Sequence, residues 1–227
     1  MSPKAVVFDL YGTVLAIEGA RDAVAAAGAP DPDGFVWAWR RKQLEYAFVS
    51  SLAQRYRDFD ELTALALDWA CAQFALRLDP AGRHALLHAA RMLPAYPDVE
   101  PALRALAARG IARAVLTNGT LASANAALEQ AGLRGLLDDV LSVEAVRCYK
   151  PDPRVYALAA ERFACAPGEI VFVSSNGWDA FGAASFGLRV VWCNRLGAAP
   201  EHLSPAPAAT LAGLDALAGF VTGPAER

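Results

Sequence analysis

Three groups of residues have the chemical character and setting of a reactive site. Asp9 ends a short apolar, β-branched run, KAVVF at residues 4–8, and the turn sequence LYGT follows at once. A carboxylate in that setting is costly unless N–H groups or a cation hold it. Taken alone, Asp9 is either a held, functional carboxylate or a structural N-cap. Lys150 stands between Tyr149 and Pro151-Asp152-Pro153. It is a solvated loop residue unless Asp9 requires a counter-ion. The run Ser174-Ser175-Asn176-Gly177-Trp178-Asp179 carries more hydrogen-bonding side chains than the single cap a βα turn needs, which favours function.

The surrounding pattern must bring these groups together. Buried-strand runs occur at residues 4–8, Ala114–Leu116, Ile170–Val173 and Val190–Trp192. Helical patterns alternate with them over Val99–Ala108, Leu121–Ala131, Pro153–Phe163 and Trp178–Phe186, with Gly110, Gly132 and Gly187 at C-cap positions. This alternation predicts a Rossmann-like α/β core, a parallel sheet flanked by helices on both faces. Ligands of such sheets bind outside the carboxyl ends of the strands, which here carry Asp9, Thr117-Asn118 and Ser174 to Asn176. Residues 16–92 contain only helical patterns, Phe35–Tyr56, Glu61–Leu76 and Gly82–Met92. They read as an all-helical cap inserted after the first strand, with 1–15 and 93–227 forming the core. The Ala- and Pro-rich tail predicts a loop and one helix over Leu211–Phe220.

Composition bounds the alternatives. The chain has 227 residues, 55 % of them apolar and 20 % charged, which supports a real hydrophobic core and excludes a disordered chain. The net charge of −3 argues against nucleic acid as a partner. No apolar run reaches the roughly 18 residues of a spanning helix, so no membrane partner is expected. The opening apolar run is too short, and ends in an acid, for a signal peptide; a cytoplasmic location is expected. Cys71, Cys148, Cys165 and Cys193 form no CxxC pair and read as reduced thiols. His84 and His88 have helix-face spacing suited to a metal, but no third ligand accompanies them. No P-loop or dinucleotide-binding glycine pattern is present.

The ordered motifs FDLYGT, LTNGT, YKPDP and FVSSNGWD, with the cap segment WRRKQLEYAF, resemble the haloacid dehalogenase superfamily. More narrowly, the chain resembles its L-2-haloacid dehalogenases, over nearly its whole length. Two departures separate it from the superfamily's phosphatases. Tyr11 stands where a phosphatase carries the acid that protonates its leaving group, and a halide needs no proton. Ser175 replaces an Mg²⁺-binding Asp, and Ser is a poor ligand for that ion. A third feature is Arg40, on a cap helix where the dehalogenases keep a halide- and carboxylate-binding Arg.

The resemblance implies hydrolysis of short (S)-2-haloacids to (R)-2-hydroxyacids, with no metal or cofactor. Asp9 would attack C2 and form an ester, splitting one hard displacement into two steps. Lys150 would hold Asp9 ionised, and Asp179 with Lys150 would activate or orient the hydrolytic water. Thr13, Ser174 and Asn176 would position the Asp9 carboxylate and that water. Thr117, with the Leu10–Tyr11 backbone, would bind the substrate carboxylate. Arg40, Asn118 and Trp178 would cradle the halide. Tyr156 would bound the substrate on the Lys150 side, and Leu44 and Phe59 would be apolar cap walls. The implied partners are a 2-haloacid and a halide ion, and the implied assembly is a homodimer. Competing readings are an Mg²⁺-dependent phosphatase, a non-catalytic anion-binding relative, and the same nucleophile acting on another substrate.

Overall fold

The computed structural model describes residues 3–222. Its centre is a six-stranded sheet in the order β3-β2-β1-β4-β5-β6, every neighbouring pair parallel. The strands are β1 (Ala5–Phe8), β2 (Ala112–Thr117), β3 (Asp139–Ser142), β4 (Ile170–Ser174), β5 (Arg189–Cys193) and β6 (Ala209–Leu211). The helices are α1 (Arg21–Ala26), α2 (Pro32–Leu52), α3 (Phe59–Gln73), α4 (Pro80–Arg91), α5 (Val99–Ala107), α6 (Leu121–Gln130), α7 (Pro153–Phe163), α8 (Gly177–Phe186) and α9 (Leu217–Thr222). The parallel α/β fold is the one the alternating pattern predicts.

β1 is fully buried at every residue because helices cover both faces of the sheet. Burying each of its Val and Phe side chains contributes roughly 1.5–3 kcal/mol. Phe8 lies opposite Val115 of β2 and Val173 of β4, so the chain leaves β1 at Asp9 between the ends of its two neighbours.

Two strands escape the sequence pattern. β3, DVLS, alternates half-buried and buried positions and is too short to show a period. β6, ATL, is an edge strand of three partly exposed residues. Leu211, expected to start the tail helix, therefore belongs to a strand, and the helix begins at Leu217.

Between β1 and α5 lie a 3₁₀ turn (Ile17–Ala20) and α1 to α4, with no strand of the sheet among them; the turn and α1 were not anticipated. Three of these helices start where the sequence marks a cap. Asp31, Asp58 and Asp79 accept from the N–H groups of Gly34, Glu61 and Gly82, and Pro32 and Pro80 open α2 and α4. The segment is entered and left through one narrow stalk. Leu15 bridges to Ala95 antiparallel, the Ala16 N–H donates to the Pro94 carbonyl, and the Tyr96 N–H donates to the Val14 carbonyl.

All four cysteines are free thiols, with Cys148 and Cys193 buried and the other two half-buried. No helix among the described residues is long and apolar enough to cross a membrane.

Candidate active site

The end of β1, the loop between β3 and α7, and the start of α8 after β4 bring the reactive groups to one point. Asp9 is 6 % exposed and Lys150 and Asp179 are fully buried. Lys150 Nζ donates to Asp9 Oδ1 at 2.9 Å and to Asp179 Oδ2 at 3.0 Å. Asp9 Oδ2 accepts from the Thr13 hydroxyl at 3.0 Å and from Asn176 Nδ2 at 2.9 Å. Thr13 reaches back because the turn after Asp9 folds its N–H onto the Leu10 carbonyl. Its Oγ1 in turn accepts the Ser175 N–H at 2.8 Å, which ties this turn to the end of β4.

Burial alone would push Lys150 down, but two carboxylates outweigh it and its pKa is raised. Asp179 is pushed up by burial, against the pull of Lys150, and the charge of Asp9 adds to the rise. Both directions follow from one cation shared by two acids in a dry site. The lysine stays protonated, and Asp179 takes a proton more readily than an ordinary aspartate.

Thr117 is fully buried, and its oxygen accepts the Gly119 N–H at 3.0 Å, which leaves the hydroxyl proton for a ligand. A Cβ on Gly119 would come within 2.9 Å of the Tyr11 ring, so this close approach requires glycine. Asn118 Oδ1 accepts the Lys150 backbone N–H at 3.1 Å. That bond fixes the amide so that Nδ2 is its donating end. The local turn draws its N–H groups from Gly12, Thr13, Val14 and Leu15, leaving those of Leu10 and Tyr11 out of it.

Arg40 reaches the site from α2. Its Nη1 donates to Gln43 Oε1 at 2.6 Å, and Nη2 lies 3.5 Å from the Tyr11 carbonyl oxygen. The guanidinium sits 5.9 Å from the Tyr11 ring centre and 5.8 Å from that of Phe59. Its Nε is buried with no protein partner. Arg40, Tyr11 and Phe59 line a pocket of about 530 Å³, measured with its mouth open to solvent. Burial first, then the nearby Asp60, pushes the Tyr11 hydroxyl up to about 12, so Tyr11 is neutral near pH 7.

Four expected site residues have contacts that the motifs did not announce. Tyr156 is fully buried, and its hydroxyl donates to Asp179 Oδ1 at 2.7 Å, so it holds that carboxylate. Ser174 makes no hydrogen bond to Asp9; its oxygen accepts the Asn176 N–H at 3.2 Å and so shapes the turn that presents Asn176. Trp178 does not stand with Arg40. Its indole packs edge-on to Phe48, with centroids 5.1 Å apart, in the wall of a second pocket. Leu44 is half-buried one turn after Arg40 but is not among the residues lining the Arg40 pocket, whereas Phe59 is.

Residue-by-residue reading missed Gln43, Thr63 and Asp60. Gln43 and Thr63 are buried and bonded to one another. Asp60 Oδ2 accepts from Ser123 at 2.7 Å and Thr120 at 3.2 Å, joining α3 to the start of α6. The available signal for Gln43 was its position on the buried stripe Val36, Trp39, Gln43, Ala47 of α2.

The donor set does not fit a divalent cation. The point between Asp9 and Asp179 is spanned by the Lys150 ammonium, and the neighbouring Ser175 and Tyr11 bring no further carboxylate. No cluster of three or more His, Cys, Asp or Glu suited to a metal occurs among the described residues, and His84 and His88 are exposed on α4.

Comparison with known proteins supplies the family. The family model of haloacid dehalogenase-like hydrolases matches residues 3–187. The (S)-2-haloacid dehalogenase 1 of Pseudomonas sp. (strain CBS-3) is 41 % identical over 206 residues, covering 90 % of this chain and 89 % of that protein. Haloacetate dehalogenase H-2 of Moraxella sp. (strain B) is 36 % identical over 218 residues, covering 96 % and 97 %. The crystal structure of the L-2-haloacid dehalogenase from Xanthobacter autotrophicus with chloropropionic acid covalently bound superposes with a TM-score of 0.90 at 33 % identity, covering 98 % of this chain and all of that one. The chain therefore belongs to the haloacid dehalogenase-like hydrolases and, within them, to the L-2-haloacid dehalogenases.

Proposed function

We propose that this chain hydrolyses short-chain (S)-2-haloacids to (R)-2-hydroxyacids through an ester on Asp9. The observation that carries the reading is the Asp9 carboxylate, nearly buried yet held by one ammonium, one hydroxyl and one amide. Oδ2 already accepts two hydrogen bonds and Oδ1 one, so Oδ1 keeps the freer lone pair and is the attacking atom. It bonds to C2 as the carbon–halogen bond breaks, and the halide leaves with the electron pair. Attack from the opposite side inverts the carbon. Water then adds to the Asp9 carbonyl carbon and gives up a proton toward Asp179. The C2–oxygen bond of the product is kept, and collapse restores the Asp9 carboxylate, with one proton released overall.

Thr117 and the Leu10 and Tyr11 N–H groups bind the substrate carboxylate, and Arg40 with Asn118 Nδ2 receives the halide ion. In a site sheltered from water, such fixed donors act far more strongly on developing charge than they would in solvent. Phe59 walls the substrate's alkyl side. Residues 16–92 serve as a cap over a catalytic core of 1–15 and 93–227, a division supported by the origin of Arg40 and Phe59 in the helical segment. The working form is read as a homodimer in the cytoplasm; the exposed apolar residues Trp37, Val49 and Leu52 on α2 support the dimer, and light scattering tests it.

The deciding experiment is halide release from haloacetates and from both enantiomers of 2-chloropropionate. Release from the (S) enantiomer with (R)-lactate as product supports the reading. No release from any of them, alongside Mg²⁺-dependent phosphate release from a phosphomonoester, overturns it.

A further inference from the structure

We infer that Gln43 is a positioning residue for Arg40, gripping Nη1 so that the Nε–Nη2 edge of the guanidinium is presented to the departing halide. The inference rests on the proposed role of Arg40 as halide donor. Gln43 is 8 % exposed on the buried face of α2, where its neighbours Val36, Trp39 and Ala47 are apolar. A buried amide is costly unless both ends are bonded, and here both are. Thr63 donates its hydroxyl proton to the Phe59 carbonyl at 2.7 Å, so toward Gln43 its oxygen can only accept. Gln43 must therefore turn Nε2 to Thr63 and Oε1 to Arg40, as observed. Phe59, whose carbonyl ends this relay, also lies beside the guanidinium with its ring, which closes the loop.

The grip has a chemical consequence. Gln43 occupies Nη1 and the Tyr11 carbonyl lies 3.5 Å from Nη2, which keeps a second N–H, while Nε is buried and free of any protein partner. A neutral acceptor fixes the guanidinium without cancelling its charge. A carboxylate in the same place would pair with Arg40 and compete with an incoming or departing anion. Glutamine suits a device that must hold the arginine still and leave it attractive to a halide.

The test compares Gln43→Met, Gln43→Glu, Thr63→Val and Arg40→Lys on (S)-2-chloro- and (S)-2-bromopropionate, with melting curves for each. Losing the support behind a functional group typically costs about 10- to 100-fold. Gln43→Met is expected to lower kcat by about that factor with little change in KM. Its loss should be larger for chloride than for bromide, because the poorer leaving group depends more on the donor. Thr63→Val should move in the same direction by less. Gln43→Glu should lower kcat and also weaken inhibition by added chloride.

If Arg40→Lys is impaired while Gln43→Met keeps the wild-type kcat and bromide-to-chloride ratio, the inference fails and the role of Arg40 stands. An equal fall for both halides marks general structural damage and also overturns it. If Arg40→Lys is unimpaired, the underlying reading fails first. Should Gln43→Met not fold, Thr63→Val and the chloride inhibition of Gln43→Glu decide, and wild-type behaviour in both counts against the inference.

Discussion

Tyr156 and Asp179 are joined inside the protein, hydroxyl to Oδ1 at 2.7 Å, with neither side chain exposed. Lys150 takes the other oxygen of the same carboxylate. Asp179 is thus held at both ends, and its ionisation answers to Tyr156. Burial raises its pKa, and the Tyr156 hydrogen bond works against that rise. Activity needs the ionised form, so the acid limb of kcat should lie above the usual range of an aspartate. Tyr156→Phe should move that limb to higher pH. Lys150, raised above its ordinary 10.5, stays charged up to that pH, so its contribution to stability is complete below 10.5 and is lost as pH rises through its folded value. A pH–rate profile of both proteins, with urea midpoints between pH 8 and 11, checks both limbs. An acid limb unmoved by Tyr156→Phe would separate Asp179 from the rate-limiting proton step.

The covalent route predicts where oxygen goes. In a single turnover with excess enzyme in ¹⁸O-water, the hydroxyacid should carry almost no label, because its new oxygen comes from Asp9. Label should appear in the Asp9 carboxylate instead, read by peptide mass spectrometry. Asp9→Asn should release no halide. A fully labelled product in the first turnover would favour direct attack by water.

Neighbouring arginines on α2 should behave in opposite ways. Arg41 is exposed, whereas Arg40 lies against Tyr11 and Phe59 in the pocket. A lysine is a point charge and cannot offer a planar pair of donors. Arg40→Lys should lose on the order of 100- to 1000-fold in kcat, the usual cost of one preorganised donor. Arg41→Lys should remain within about twofold, since exposed charges contribute little. Circular dichroism and kinetics on (S)-2-chloropropionate check the pair, and a damaging Arg41→Lys beside a harmless Arg40→Lys would place the halide elsewhere.

Chelation should leave turnover intact. The Lys150 ammonium spans the two carboxylates that a cation would need. Dialysis against EDTA followed by a halide-release assay tests this, and activity lost to EDTA and restored by Mg²⁺ would falsify it.

The legible and illegible parts of this molecule divide along physical lines. β1, β2, β4 and β5 could be read because helices bury both of their faces, which forces continuous apolar runs. β3 and β6 could not, because they are short outer strands with half-buried positions. Asp9 could be read because it ends a buried strand with a costly charge, whereas Lys150 and Asp179 took their roles from the resemblance carried by YKPDP and FVSSNGWD. The unforeseen contacts concern direction, which spacing does not encode. Tyr156 and Ser174 lie near the site in sequence and turn their polar atoms to Asp179 and Asn176 instead. Gln43 was hidden because a polar residue on an amphipathic helix looks solvent-facing until its partner Thr63, twenty residues away, is found.

The stalk at Leu15 and Ala95 also governs how the protein would carry mechanical load. Tension applied across the sheet passes from one side of the stalk to the other, so α1 to α4, which also touch the core through Asp60 and Ser123, lie off the loaded path. While the Ala16–Pro94 and Tyr96–Val14 hydrogen bonds hold, that branch adds nothing to the distance between the pulled points. Once the stalk unzips and the branch unravels, close to eighty residues join the stretched path, on the order of 270 Å of new contour length. In a force–extension trace, that increment would distinguish opening of the stalk from rupture of the sheet.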